Sequence, residues 1–341
     1  MSWLVQTRLV NEPFSDPGLF IDFLFGSRAI LFDIGDITSL SARELLRTSD
    51  VFVSHRHMDH FAGFDHLLRA NLHRPKTLRL VGPPGFVDGV DAKLRAYLWN
   101  LLDQGAPDFV IRAAEFENDR LGAWTLFRAR DRFRRTAGEA SGLGPGLVLE
   151  EDDLRIECGV IDHGTPCLAF ALQERRRVNV WPEGLEGLGL QVGPWLNEAK
   201  SAVRRGAPGA TRIPVGSGYA VPLSLLEEHA LRIARGQRIA YVTDAAFHPE
   251  NARRIVALAK DCHHLYIEAA FLDEDEPLAT ARRHLTAREA GELAGLAGAR
   301  RLTTFHHSPR YLDRPEAFDR EAQSAFRAAA AETVRIATEV P

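Results

Sequence analysis

The sequence predicts an α/β protein, on three observations. Short apolar runs alternate with stretches of helical spacing along most of the chain. The apolar runs repeatedly end on a histidine, an aspartate or a glutamate. One of them, "VFVSHRHMDHFAGF" at residues 51–64, delivers three histidines and an aspartate within six residues. Imidazoles and carboxylates are costly to bury, so such a cluster calls for something that binds it.

The elements follow in order. "AILFDIGD" (Ala29–Asp36) and "DVFVSH" (Asp50–His55) read as strands, with "SLSARELLRTS" a short helix between them. Phe61, Phe64, Leu67, Leu68 and Leu72 then recur at helical spacing. "TLRLVGPPG" is a strand running into a turn forced by Gly82, Pro83, Pro84 and Gly85, and "DAKLRAYLWNLLDQG" reads as a helix stopping near Gly105. "FRARDRFRR" would place Arg128, Arg130, Arg132 and Arg134 on one strand face, where a solvated face or guarded edge is the plainer role. "DLRIECGVID" alternates with period two, placing Leu154, Ile156, Cys158 and Val160 together. Between Trp181 and Gly216, eleven glycines and prolines break every pattern except "WLNEAKSAVRRG". That density predicts an extended excursion carrying one short helix. The rhythm then returns: strand "RIAYVTD", helix "PENARRIVALAKD", strand "HLYIEAA", helix "TAREAGELAGLAG", strand "RLTTFHH".

Composition sets the bounds. With 341 residues, 45% hydrophobic and 26% charged, the chain is ordinary globular material. A net charge of −4 excludes a generally basic nucleic-acid binder, so any RNA contact needs a local patch. Residues 172–212 supply one: seven Arg or Lys stand against four Glu. Three cysteines without CxxC spacing point to a reducing compartment, with no thiolate zinc site. No signal-like start and no apolar run near 18 residues is present, so we expect a soluble cytoplasmic protein and no membrane contact.

Five strand ends carry groups able to bind metal or move protons: His55, His163, Asp244, Glu268 and His306. In α/β sheets the carboxyl ends of strands bear the chemistry, because the strand anchors a loop free to carry it. In an extended segment, His55 and His57 face one side and can grip one ion, while Asp59 and His60 address a second. Nitrogen and oxygen donors without thiolates suit zinc best, with manganese or iron as alternatives. Other histidines are plainer. His66 and His73 belong on the surface, His248 before Pro249 at a helix start, and only one of His306 and His307 can point inward.

These residues carry a resemblance. HxHxDH is the mark of the metallo-β-lactamase fold, a four-layer αββα sandwich. "FDIGD", "LVGPPG", "HGTPCLAFALQE", "VGPWLNEAKSAVRRG", "YVTDAAF", "IEAAF", "RHLTAREAGELA" and "FHHSPRY" together resemble its ribonuclease Z branch, endonucleases that trim precursor tRNA. The resemblance implies one domain spanning residues 1–341, with an arm inserted at 174–216. It implies that His55, His57 and His163 hold one ion, that Asp59, His60 and His306 hold the other, and that Asp244 bridges two Zn²⁺. His306 is preferred to His307 because HxSxRY puts the ligand two residues before Ser308. Asp33 would orient a ligand histidine. Asp59, Glu268 and His284 are the candidate catalytic residues, the last two as a proton relay. Arg310, with Arg176, Lys200 and Arg204 of the arm, would bind substrate. A homodimer is also implied. The chain departs from the family pattern at "TDAAF", where Gly-Asp-Thr is usual, and at "GFDHLL". The competing expectation is a small-molecule phosphodiester or sulfate-ester hydrolase on the same fold, which would not need a basic arm.

Overall fold

A computed structural model describes residues 3–24, 26–216 and 218–339, with side chains as far as residue 332. Two sheets face each other. The first runs in the order Val5–Leu9, Leu19–Phe23, Ala29–Phe32, Thr48–Phe52, Lys76–Gly82, Phe109–Glu117, Thr125–Arg128, Arg135–Ala137. Its centre, from Ala29–Phe32 to Phe109–Glu117, is parallel. The second runs Leu147–Glu150, Leu154–Asp162, Pro166–Glu174, Arg238–Val242, His264–Glu268, Leu302–Phe305, and its last three strands are parallel.

Three apolar cores separate four layers. Between the sheets lie Phe32, Phe52, Val81 and Phe116 from one side and Leu154, Phe170, Tyr241 and Phe305 from the other. Outside the first sheet, Leu31, Val51, Leu80 and Ile111 pack on Leu45, Leu67, Phe86 and Val90 of the helices Ala42–Arg47, Phe64–Asn71 and Phe86–Arg95. Outside the second, Ala169, Val242 and Ile267 pack on Ile255, Leu293 and Phe318 of Pro249–Ala259, Ala287–Leu296 and Glu316–Glu339. This is the expected αββα sandwich. Apolar faces on both sides of each sheet are why its central strands read as continuous hydrophobic runs.

Local signals explain the boundaries. Ser41 and Glu44 form a reciprocal capping box that starts Ala42–Arg47. The helix expected over Asp91–Gly105 instead spans Phe86–Arg95. Its buried stripe is Phe86, Val87, Val90 and Leu94, and Trp99 Nε1 donates to the Leu94 carbonyl at 2.8 Å, tying off the end. Leu98 and Leu101, within the expected helix, lie in solvent. The four arginines of "FRARDRFRR" do not share a strand face. The chain turns at Ala129–Asp131 with Arg132 and Phe133 left-handed, and Arg130 and Arg132 donate to the carbonyls of Ala106 and Leu102.

The Gly/Pro-rich excursion differs most from expectation. The chain leaves the second sheet after Glu174 and returns at Arg238, so the excursion outruns Gly216. It is packed and not merely extended. Arg176–Val180 pairs with Leu231–Arg235, Arg212–Gly216 pairs with Tyr219–Pro222, and three helices (Pro182–Gly187, Trp195–Arg205, Leu223–His229) join them. Leu185, Leu196, Val203, Ile213, Leu226 and Leu231 form its own core. The glycines and prolines mark the ends of short elements, which is why the interior pattern was too brief to read.

Candidate metal centre

The parallel strands of both sheets point their carboxyl ends to one edge, and the loops there carry the site. His55 follows Thr48–Phe52, Asp244 follows Arg238–Val242, Glu268 closes His264–Glu268, and His306 follows Leu302–Phe305. His163 arrives from the hairpin of Leu154–Asp162 with Pro166–Glu174. Asp33 and His306 both adopt left-handed backbone, at φ 56° and 63°. Such conformations cost about 1–3 kcal/mol for ordinary residues and concentrate at functional sites.

Asp244 is buried at the centre. Its Oδ2 lies 3.5 Å from His55 Nε2 and 3.4 Å from His163 Nε2. Its Oδ1 lies 3.5 Å from His60 Nε2 and 3.1 Å from His306 Nδ1. His55 Nε2 and His57 Nδ1 are 2.9 Å apart. Asp59 Oδ2 stands 3.2 Å from His306 Nε2 and 3.4 Å from His60 Nε2. Donor atoms of His55, His57, His163 and Asp244 therefore converge as one group, and those of Asp59, His60 and His306 as another, with the two oxygens of Asp244 turned one to each. Metal–nitrogen bonds of about 2.0–2.1 Å in a tetrahedron set donor atoms ~3.3 Å apart, close to the separations seen here.

Two buried atoms test the fit of a cation. His60 Nε2 and His306 Nδ1 have no hydrogen-bond partner, yet both face this centre. A buried nitrogen without a partner is unfavourable unless an ion takes its lone pair. The far ring nitrogens of His60 and His163 are held. His60 Nδ1 lies 2.9 Å from Asp33 Oδ2, and His163 Nδ1 donates to the Arg283 carbonyl at 2.8 Å. Anchoring one ring nitrogen and presenting the other is how metal-binding imidazoles are set. Burial pushes His55 down to about 3, so its ring is neutral, the form that binds a cation. Burial opposes a charge on His60, but Asp244 and Asp33 outweigh it and raise the ring well above the usual range. A cation supplies the positive charge these carboxylates attract. The residues fit divalent ions.

Glu268 and His284 meet beside this centre. His284 Nδ1 is 3.0 Å from Glu268 Oε2 and 3.2 Å from Oε1. Glu268 is fully buried, not a carboxylate of the acidic loop surface, and Oε1 also accepts from the amides of Ala245 and Leu285. Burial would raise its pKa, but His284 outweighs that and holds it at about 2. His284 is raised in return, Glu268 overcoming the effect of burial. Donor atoms of Asp244, Glu268, His284 and His306 also come within 4.8 Å of one another. Glu268 Oε1 is, however, already engaged by two amides and Oε2 by the His284 ring, which suits an orienting role.

His307 lies apart. Its ring stacks on Phe318 at 3.9 Å and sits 3.1 Å from Thr304 Oγ1. Arg310 lines a cavity of about 480 Å³ that opens onto Asp59, His284 and His306. His66 and His73 are exposed, and His248 accepts from the Asn251 amide at a helix start. Arg176, Lys200 and Arg204 are not brought to the centre. They lie on the excursion, which leaves Pro166–Glu174 at the end away from His163, roughly 25 Å along that strand. There Arg176 and Arg204 line a groove with Arg155, Arg175, Arg205 and Arg235.

Missed in the sequence were Ser54 and Tyr241. Ser54 Oγ donates to Asp33 Oδ2 at 2.9 Å and lies 3.1 Å from His55 Nδ1, and the Tyr241 hydroxyl donates to the same carboxylate at 3.0 Å. A serine and a tyrosine at strand ends carry no distinctive pattern, so only their adjacency to His55 and Asp244 could have drawn notice.

The architecture is matched by solved structures. The metallo-β-lactamase fold protein YhfI from Bacillus subtilis superposes with a TM-score of 0.54 at 14% identity, over 94% of this chain and 92% of that one. Human tRNase Z, short form, does so with 0.51 at 15% identity, over 89% and 93%. Fold and centre together define a metal-dependent hydrolase of the metallo-β-lactamase fold. No protein-family model matches the chain. Curated relatives narrow the class: it is 31% identical over 332 residues to ribonuclease Z of Deinococcus radiodurans, covering 96% of this chain and 97% of the relative. It is also 31% identical over 311 residues to ribonuclease Z of Salinibacter ruber, covering 89% and 82%. The chain belongs to the ribonuclease Z family. No helix among the described residues is long and apolar enough to cross a membrane.

Proposed function

We propose that this chain is a phosphodiesterase using two metal ions, an endoribonuclease that removes 3′ trailers from precursor tRNA. The observation that carries the proposal is the Glu268–His284 pair beside two groups of donor side chains that share Asp244. His55, His57 and His163 would hold one ion, Asp59, His60 and His306 the other, and Asp244 both. Bound there, two zinc ions would supply Lewis acidity to the phosphoryl oxygens and acidify the attacking water.

The side chains do the rest. Asp59 is held ionised, His306 and His60 outweighing its partial burial, and it borders the cavity, so it accepts a hydrogen from the attacking water and orients it. Glu268 fixes His284 through Nδ1 and raises its pKa, leaving Nε2 to protonate the departing ribose oxygen. Arg310, at the cavity wall, takes a phosphate oxygen with its planar fork. The excursion between Glu174 and Arg238 carries Arg176, Lys200 and Arg204 as contacts for the RNA backbone away from the cut. The chain forms one domain bearing this arm and works as a homodimer, as the family resemblance implies, and its place of work is the cytoplasm.

The test incubates the protein with 3′-extended precursor tRNA and with bis(p-nitrophenyl) phosphate, with and without zinc or manganese. Metal-dependent cleavage of the tRNA is the expected result. Cleavage of the small ester alone would replace this proposal with a small-molecule hydrolase.

A further inference from the structure

Arg56 stands between His55 and His57 and belongs to neither donor group. Alternate residues of an extended segment face opposite sides, so turning the two imidazoles inward turns Arg56 outward. Its side chain lies across the turn that follows the neighbouring parallel strand Lys76–Gly82. A β-carbon on Gly85 would come 3.0 Å from Arg56 Nη2 and 3.3 Å from Cζ, and one on Gly89 would come 3.3 Å from Cδ and 3.6 Å from Nη1. Two bare glycines thus form a bed for the guanidinium, and Gly85, at φ 82°, holds a backbone conformation that residues with a side chain rarely adopt.

The guanidinium is exposed, and no hydrogen bond or ion pair takes its donors among the described residues. Other arginines of this sheet are spent: Arg28 and Arg79 both pair with Asp50, and Arg112 pairs with Glu139. Nor can Arg56 cap the helix starting at Phe86, since a guanidinium has no acceptor; Glu115 accepts the Val87 amide there. What remains is a positioned cation with five free donors, on the sheet edge that carries the metal centre. Guanidinium forks match phosphate oxygens two at a time.

We infer that Arg56 is a phosphate anchor: it binds a phosphate of the RNA strand flanking the one held at the metal centre. This rests on the endoribonuclease proposal above. The flanking phosphate is absent from a small ester, so the two substrates separate the roles.

The test compares wild type, Arg56→Ala and Arg56→Lys on precursor tRNA and on bis(p-nitrophenyl) phosphate across a salt series, with metal content measured for each. For Arg56→Ala we expect KM for the tRNA to rise about tenfold with little change in kcat. The slope of log kcat/KM against log salt should become shallower by about one, the signature of one lost phosphate contact. Small-ester turnover and metal content should stay at wild-type values. Arg56→Lys should restore the slope but only part of the affinity. Unchanged tRNA kinetics and slope in Arg56→Ala would overturn the inference, as would equal loss on both substrates, which would make Arg56 a support of the metal loop. If wild type cleaves no tRNA, the endoribonuclease proposal fails on its own. Anisotropy binding of a labelled single-stranded oligoribonucleotide then decides about Arg56, and equal affinity of wild type and Arg56→Ala would sink it.

Discussion

Adjacent residues in this chain have opposite fates, and substitution separates them. His306 turns into the centre through its left-handed backbone, while His307 packs between Phe14 and Phe318. His306→Ala should lower bound metal, read by elemental analysis, and abolish turnover. His307→Ala should keep its metal but lose about 1–3 kcal/mol of stability in denaturant unfolding. The reverse pattern would exchange their roles. His284→Ala should collapse turnover with metal content intact, since Glu268 and not an ion holds the ring; loss of metal instead would make it a ligand. HxHxDH was legible because its residues are contiguous and the period of an extended chain sorts them. The choice between His306 and His307 could be made from the HxSxRY resemblance but not from the period, because a single positive φ breaks it and no residue type announces that φ.

Among the elements, the excursion between Glu174 and Arg238 has its own apolar core and touches the sandwich through polar contacts such as Arg204 with Asp153 and Arg235 with Asp261. The Glu174 amide donates to the Gln237 carbonyl at 2.8 Å, so the two ends already touch. Replacing residues 176–235 with a short turn should leave the sandwich folded and small-ester cleavage near wild type, while precursor tRNA cleavage falls at least tenfold; equal losses on both substrates would remove the arm from RNA binding. Closer in, Ala287–Leu296 presses on Glu316–Glu339 through glycines. A β-carbon on Gly291 would come within 2.2 Å of the Ala322 carbonyl oxygen. Gly291→Ala should cost about 1–3 kcal/mol by overpacking, measured by thermal unfolding, and no loss would mean the helices can part freely. The strands of the sandwich were readable from apolar runs with chemistry at their ends. In the arm only the eleven-residue helix Trp195–Arg205 was readable; its other segments, of four to seven residues between glycines and prolines, are too short to show a period.

In the whole molecule, the site exists only where the two sheets meet. Asp33, His55 and His60 come from the first sheet, and His163, Asp244, Glu268 and His306 from the second. The Tyr241 hydroxyl crosses between them to Asp33. The sequence order of these residues said nothing of that meeting; it follows from packing Phe32 and Phe52 against Phe170 and Tyr241. The account therefore stands on two ions per chain, held by both sheets at once. The direct measurement is a zinc titration of chelator-stripped protein, following cleavage of 3′-extended precursor tRNA at each step. Cleavage should be absent at first and should plateau at two zinc ions per chain. A plateau at one ion, or cleavage by the stripped protein, would contradict it.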